Sequence, residues 1–258
     1  MKVSKIFILT AVVAALFAAV AFINIRPVAH KPAAGKGFAV IELFTSEGCS
    51  SCPPADELVA RIQKEYNDQP VYILAYHVDY WNRLGWKDVF SSADYSNRQN
   101  AYSKYLRAEI YTPQIVVNGK KEFVGSEEGT LRNAIKSNIV KPSLTQLTLS
   151  DIENTGKQVK LHYKVEGNGT NSVLLLAVVQ KSALTKVKAG ENNGHMLSHV
   201  QIVRQLQSIA LSNDKSGVES IALPAGFTAK GYEIIGLVQN TQNGEIVAAA
   251  KAQFQTGI

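Results

Sequence analysis

Cys49 and Cys52 are the two cysteines of the chain, with Ser50-Ser51 between them and Pro53-Pro54 directly after. Thiols at this spacing fit three chemistries. They form a disulfide that exchanges with other thiols through a mixed disulfide. They hold a soft ion such as copper(I). They act as a structural staple, although closing so small a loop stabilises by only about 2 kcal/mol in the chain-entropy model. Zinc fits less well, because no second cysteine pair or near histidine completes four ligands.

The surroundings favour exchange. An apolar, β-rich run from Phe38 to Phe44 ends shortly before the pair. Shortly after it, Asp56 to Tyr66 carries Leu58, Val59 and Ile62 at helical spacing. A thiol at a helix N-terminus meets unpaired N–H groups and the positive end of the dipole, which lower its pKa and activate it. On this reading Cys49 is the exposed attacking sulfur and Cys52 resolves the mixed disulfide. Pro53 and Pro54 supply no N–H, though a first helical turn accepts proline. They draw the helix start towards Cys52 and weaken the dipole's effect on Cys49.

Other residues offer support. Glu42 interrupts the apolar run. Buried, its carboxylate would have a raised pKa and could take a proton from the resolving thiol; at a sheet edge it would simply face solvent. His77 and Asp79 stand at and after the end of a second apolar run, Val71 to Val78, where open α/β sheets bind ligands. His77 reads either as a proton carrier oriented by Asp79 or as a satisfied core residue. Trp81 and Trp86 read as packing. His195, Met196 and His199 suggest a soft-metal patch only weakly, against a turn followed by a strand with surface histidines. His162 alternates with lysines and reads as exposed, and His30 falls in a linker. No bound cofactor and no metal is expected.

These residues must be positioned by the elements around them. After the second run come a polar and aromatic segment, Asp79 to Ser92, and a helix from Tyr95 to Glu109. Gln114 to Val117 reads as a strand, Asn118-Gly119 as a hairpin turn, Glu122 to Val124 as the return strand, and Glu127 to Val140 as a helix. The expectation is an α/β domain over 38–141, a mixed sheet flanked by helices. Beyond Pro142 the period changes. Val159, Leu161, Tyr163 and Val165 alternate with polar residues, and Ser172 to Gln180, Tyr232 to Gln239 and Glu245 to Phe254 read as strands. Residues 142–258 are therefore expected to form a β-rich domain, an antiparallel sandwich of about seven strands.

The first 25 residues read as an address: Lys2 and Lys5 precede an apolar run from Ile6 to Ile25. That is the pattern of an export signal, with Ala19-Val20-Ala21 as a cleavage site. The run is also near the ~20 residues that span a bilayer, so an uncleaved anchor competes. Either way the remainder faces outward, periplasmic or extracellular. A linker rich in proline and basic residues follows, through residue 37. Of the 258 residues, 46% are hydrophobic, enough for a full core without staples or metals. The net charge of +6 comes from scattered lysines and arginines, with no basic stripe, so nucleic acid is not expected as a partner.

The run Ile41-Glu42-Leu43-Phe44-Thr45-Ser46-Glu47-Gly48-Cys49-Ser50-Ser51-Cys52-Pro53-Pro54-Ala55-Asp56 resembles the signature of a bacterial secreted family of unknown function, domain-of-unknown-function family 1223. Three further segments resemble it in kind: His77-Val78-Asp79-Tyr80-Trp81 through Gly85-Trp86, Tyr111-Thr112-Pro113-Gln114, and Gly190-Glu191-Asn192-Asn193-Gly194. The resemblance implies a thioredoxin-like fold for 38–141 and an exported location, and says little about substrate. Thioredoxin-like folds place a cis-proline before the third strand, against the cysteine pair. Thr112-Pro113 is expected to fill that place, where alone it would read as an ordinary strand-entry proline.

The leading expectation is an exported thiol–disulfide oxidoreductase working through Cys49, Cys52 and Pro113. Protein thiols or disulfides would be its partners, together with a membrane redox partner. A copper(I)-binding or metallochaperone-like protein using the same cysteines is the alternative. A non-enzymatic interaction module, with the β half docking a partner, is the third reading.

Overall fold

The structure, a computed structural model, describes residues 36–211 and 214–254. The readings of 1–25 as signal or anchor and of 26–35 as linker, His30 included, lie outside the described residues.

Chain order follows the pattern of apolar runs. β1 (Ala39–Thr45), buried throughout, leads through the cysteine segment into α1 (Pro53–Glu65). β2 (Val71–His77) is followed by a short 3₁₀ turn at Asn82–Leu84 and by α2 (Ala93–Leu106). Ser92 starts α2 by accepting a hydrogen bond from the Asp94 amide, an ordinary N-cap. β3 (Gln114–Val117), β4 (Lys121–Val124) and α3 (Glu128–Ile139) complete the first half. The β3–β4 connection has three residues, Asn118 to Lys120, and Asn118 and Gly119 have φ of 50° and 65°, the left-handed region that asparagine and glycine enter most readily. Asn118 also ties the hairpin to β1, since its Oδ1 accepts from the Val40 amide at 2.6 Å.

The second half is all strand among the described residues: β5 (Thr145–Asn154), β6 (Gln158–Gly167), β7 (Ser172–Lys186), β8 (Met196–Ala210), β9 (Ser216–Ala222), β10 (Tyr232–Asn240) and β11 (Ile246–Gln253). Four of these seven extend the first sheet. The result is an eight-stranded mixed sheet in the order β11-β10-β7-β8-β2-β1-β3-β4. β1 runs parallel to β2, and β2 parallel to β8; the other neighbours are antiparallel. β5, β6 and β9 form a separate antiparallel sheet. The described residues make one compact unit, and the large sheet crosses the boundary expected at 141/142.

Strand alternation divides the core. Ile41 and Leu43 of β1 face α1 and α3, against Ala55, Leu58, Val59, Ile62, Leu131 and Ile135. Val40 and Phe44 face the other way, with Leu74, Tyr76, Tyr95 and Tyr102, under α2. The sheet of β5, β6 and β9 packs Leu161 and Val165 on Leu174, Leu176, Ile234 and Val238 of the large sheet. The sandwich expected from the sequence is therefore half of this molecule's packing, and it shares strands with the α/β half.

Candidate functional site

Cys49 and Cys52 are joined by a disulfide between β1 and α1. Cys52 is the N-cap of α1 and already has helical backbone angles, φ −79° and ψ −37°. The helix starts three residues earlier than its apolar spacing suggests, because Pro53 and Pro54 fill its first turn. Neither has an N–H, and the next two amides, of Ala55 and Asp56, both bond the Cys52 carbonyl. The helix N-terminus thus has no free amide for Cys49. The donor beside the Cys49 sulfur is the Ser51 hydroxyl, at 3.3 Å.

The Thr112–Pro113 peptide is cis. Its loop lies beside the cysteine segment: Ser51 Oγ is 3.4 Å from the Thr112 carbonyl oxygen, and Trp81 Nε1 donates to Thr112 Oγ1 at 2.8 Å. Gly125 closes the same corner. A Cβ there would stand 3.0 Å from Pro113 and 3.1 Å from Ala55.

The expected exposure of Cys49 is corrected. Both cysteines are 0% exposed. A strap in the β7–β8 connection, Gly190 to Gly194, is hydrogen-bonded to the segment that carries Cys49. The Glu191 carboxylate accepts from the Ser50 amide at 3.0 Å and from the Ser50 hydroxyl at 2.7 Å. These two bonds hold the Glu191 carboxyl below its usual pKa. Asn192, itself buried, donates from Nδ2 to the carbonyl oxygens of Glu47 and Cys49, each at 2.9 Å. The β half is therefore part of the site, not only a docking platform.

Glu47, two residues before Cys49, and Asp56, four after Cys52, are buried, as are His77, Asp88 and His199. The Asp88 carboxylate ties two of them together. Oδ2 meets His77 Nδ1 at 2.7 Å and the Glu47 amide at 2.9 Å, and Oδ1 accepts from the Phe90 amide at 2.9 Å. Burial opposes ionisation of Asp88, but His77 and the two amides outweigh it and its pKa is lowered. Burial likewise opposes a charged His77, and Asp88, helped by Asp56 and Glu47, outweighs it, so the pKa is raised. Asp56 accepts from Thr45 Oγ1 at 3.1 Å; burial raises its pKa despite His199 and His77. Trp86 Nε1 donates to Glu47 Oε2 at 2.7 Å, and His199 Nε2 stands 3.4 Å from Glu47 Oε1.

Asp79 does not orient His77. It accepts from Ser96 Oγ on α2, and Asp88 has the orienting place. Glu42 is buried but points to the α2 face, away from Asp56 and His77. There it pairs with Arg98 Nε at 2.6 Å and accepts from the Tyr102 hydroxyl, so it is not the thiol's proton partner. His195 and Met196 are exposed, but His199 is not a surface histidine: it is buried on β8, with its ring 4.8 Å from that of His77. His162 is exposed. Asp88 and Asp56 were not singled out by spacing, and His199 was singled out only as part of a weak soft-metal patch. Asp56 alone carried a signal, lying one helical turn after Cys52.

Fold and site define a mixed α/β protein with a buried Cys-X-X-Cys disulfide and a group of buried ionisable residues. A sequence profile for a protein family of unknown function, DUF1223, matches residues 40–239, and the chain belongs to that family. No curated protein matches its sequence. Among solved structures, protein AGR_C_4864 from Agrobacterium tumefaciens is similar at 26% identity and a TM-score of 0.64. The match covers 87% of this chain and 97% of that one. HBP35 of Porphyromonas gingivalis shares the fold at 16% identity and a TM-score of 0.62, over 87% of this chain and 79% of that one.

Proposed function

We propose that this protein is a thiol–disulfide oxidoreductase on a thioredoxin-like fold, exported from the cytoplasm, with protein thiols or disulfides as substrates. The observation that carries the reading is the Cys49–Cys52 disulfide at the start of α1, with the Thr112–Pro113 loop beside it. The order β1-α1-β2-α2-β3-β4-α3, with strands arranged β2-β1-β3-β4, supports the thioredoxin-like assignment. The charged start and apolar run at the N-terminus support export. An incoming thiolate attacks Cys49, the S–S bond breaks, and Cys52 leaves as the reduced partner. A second substrate thiolate then displaces Cys49, which leaves the substrate oxidised and the protein as a dithiol.

Equilibration of the purified protein with glutathione buffers of graded potential tests this. The expected result is a single two-electron transition, together with catalysed oxidation or reduction of a model protein disulfide. Both should be lost in Cys49→Ser and Cys52→Ser. A disulfide that stays formed in strongly reducing glutathione, with no turnover of any protein thiol, would overturn the proposal. Tight stoichiometric binding of copper(I) without exchange would favour metal handling instead.

A further inference from the structure

A cavity of about 250 Å³ opens where the end of α1 and the start of β2 meet β7, β8, β10 and β11. None of the residues that line it belongs to the cysteine site. Its cause lies in the sheet: β2 and β8 are registered only at Ala75 and Ile202, so the start of β2 lacks a strand partner on that side. Two polar side chains that line the cavity are buried and short of partners. Gln201, 5% exposed, has an Oε1 with no hydrogen-bond partner among the described residues. Glu233, 3% exposed, has no ion-pair partner among the described residues. Its Oε2 accepts from Gln253 Nε2 at 2.6 Å, and Gln253 Oε1 accepts from Lys181 Nζ at 2.7 Å. The lysine thus reaches the carboxylate only through an amide. A buried carboxylate is costly without a cation beside it, and a buried acceptor left unbonded adds to the cost.

The backbone at Gln201 is strained as well. Its φ is 54°, in the left-handed region that a glutamine rarely occupies. The β7–β8 ladder steps from Gln180–Ile202 to Ser182–Val200 without registering Lys181 against Gln201. Non-glycine residues held in this way gather at ligand sites.

We propose that this cavity binds a small zwitterion of amino-acid size, independently of the redox chemistry. The ligand's ammonium group donates to Glu233 and to Gln201 Oε1, which gives the carboxylate its cation and the amide its missing bond. The ligand's carboxylate meets Lys251, which lines the same cavity and has no ion-pair partner among the described residues. One protein carboxylate suits a monovalent ammonium group, since calcium and magnesium take more oxygen ligands. Two lysines, Lys181 and Lys251, against one acid would repel a plain amine or polyamine. The volume equals about eight water molecules at ~30 Å³ each, which admits a free amino acid. Tyr66 and Tyr72 add apolar surface for its side chain.

The test is binding of the standard free L-amino acids, each added singly to the full-length protein. Thermal shift finds those that stabilise it, and calorimetry then gives Kd and stoichiometry. At least one is expected to bind one to one. Glu233→Gln should weaken it at least about tenfold, because a hydrogen bond between charged groups is lost. Gln201→Gly removes the amide while suiting the φ of 54°, so this variant should stay folded and bind several-fold more weakly. The wild type alone supplies a further arm. The N-acetyl and methyl ester derivatives of the bound amino acid each lack one charge and should bind at least about tenfold more weakly. No binding by any amino acid, undiminished binding of either derivative, or unchanged binding in both variants would overturn the proposal.

Discussion

Asn192 Nδ2 donates to the carbonyl oxygen of Cys49 at 2.9 Å, across a sequence separation of 143 residues. The same amide bonds the Glu47 carbonyl, so one side chain from the β half fastens both ends of the turn that presents Cys49. Gly190 and Gly194 bracket the strap at φ of 77° and 84°, a backbone conformation that side-chain-bearing residues rarely adopt. The strap thus holds a defined conformation against the turn that carries Cys49.

Asn192→Ala should therefore free the turn that carries Cys49. Two bonds to buried backbone carbonyls are lost, which destabilises the protein by about 1–3 kcal/mol. Reduction of the disulfide by a small thiol should nevertheless become several-fold faster. Stopped-flow reduction, with stability from urea unfolding, measures both. A slower or unchanged rate in the folded variant would mean that the strap does not limit access.

The sequence carried the α/β half well, because β1 and β2 are buried on both faces and read as largely apolar runs. Gln114–Val117 was legible to the residue, since Asn118-Gly119 marks its end. β8 was not legible as a site element. Its His199 and Gln201 are polar but buried, so alternation gave no sign of which side faced the core. The cysteine pair announced itself by type and spacing. Asp88 and His199 did not, because burial of an ionisable residue depends on partners far away in sequence. Asp88 lies in an irregular segment, and His199 reaches the site only because β8 docks beside β2.

The His77–Asp88 pair should leave a mark on stability. His77 has a raised pKa in the fold, so its contribution is complete below the ordinary 6.5 and is lost as pH rises through the raised value. Asp88 has a lowered pKa, so its contribution is complete above the ordinary 3.8 and is lost as pH falls through the lowered value. The stability gap between wild type and Asp88→Asn should be widest between those two ordinary values, at about 3 kcal/mol, and should narrow on either side. Urea unfolding at a series of pH values tests this. A gap that does not vary with pH would show that the pair is not ionised in the fold.

Arg98 and Glu42 provide a contrast on the opposite face of the sheet. Glu42 is fully buried against Arg98, whose side chain is 10% exposed and also bonds Gln239 and the Tyr102 hydroxyl. Arg98→Ala would leave the carboxylate buried without its charge partner, at a cost of about 3–5 kcal/mol. Disulfide exchange per folded molecule should stay within about twofold of wild type, because this pair lies across the sheet from α1, which Cys52 caps. Unfolding curves and exchange rates on the same samples separate the two effects. A large loss of exchange in a folded Arg98→Ala protein would tie the α2 face to the chemistry.

The roles of the two sulfurs follow from their surroundings. Cys49 is flanked by exposed Ser50, and its carbonyl is tied to the strap through Asn192, so an opening of the strap is expected to free this turn. Cys52 is set into the first turn of α1, with Asp56 one turn below, and no comparable motion frees it. On the proposed oxidoreductase reading, a substrate thiol or disulfide joins Cys49, and Cys52 resolves the link. Cys52→Ala removes only the second step and should accumulate mixed disulfides with protein substrates. Cys49→Ala leaves the shielded thiol and should accumulate far fewer. Combining Asn192→Ala with Cys52→Ala should raise the trapped fraction further, because the strap is loosened while resolution is blocked. Acid-quenched samples on non-reducing gels measure all three. Equal trapping by the two single variants would remove the assigned order of attack, and trapping by Cys49→Ala alone would reverse it.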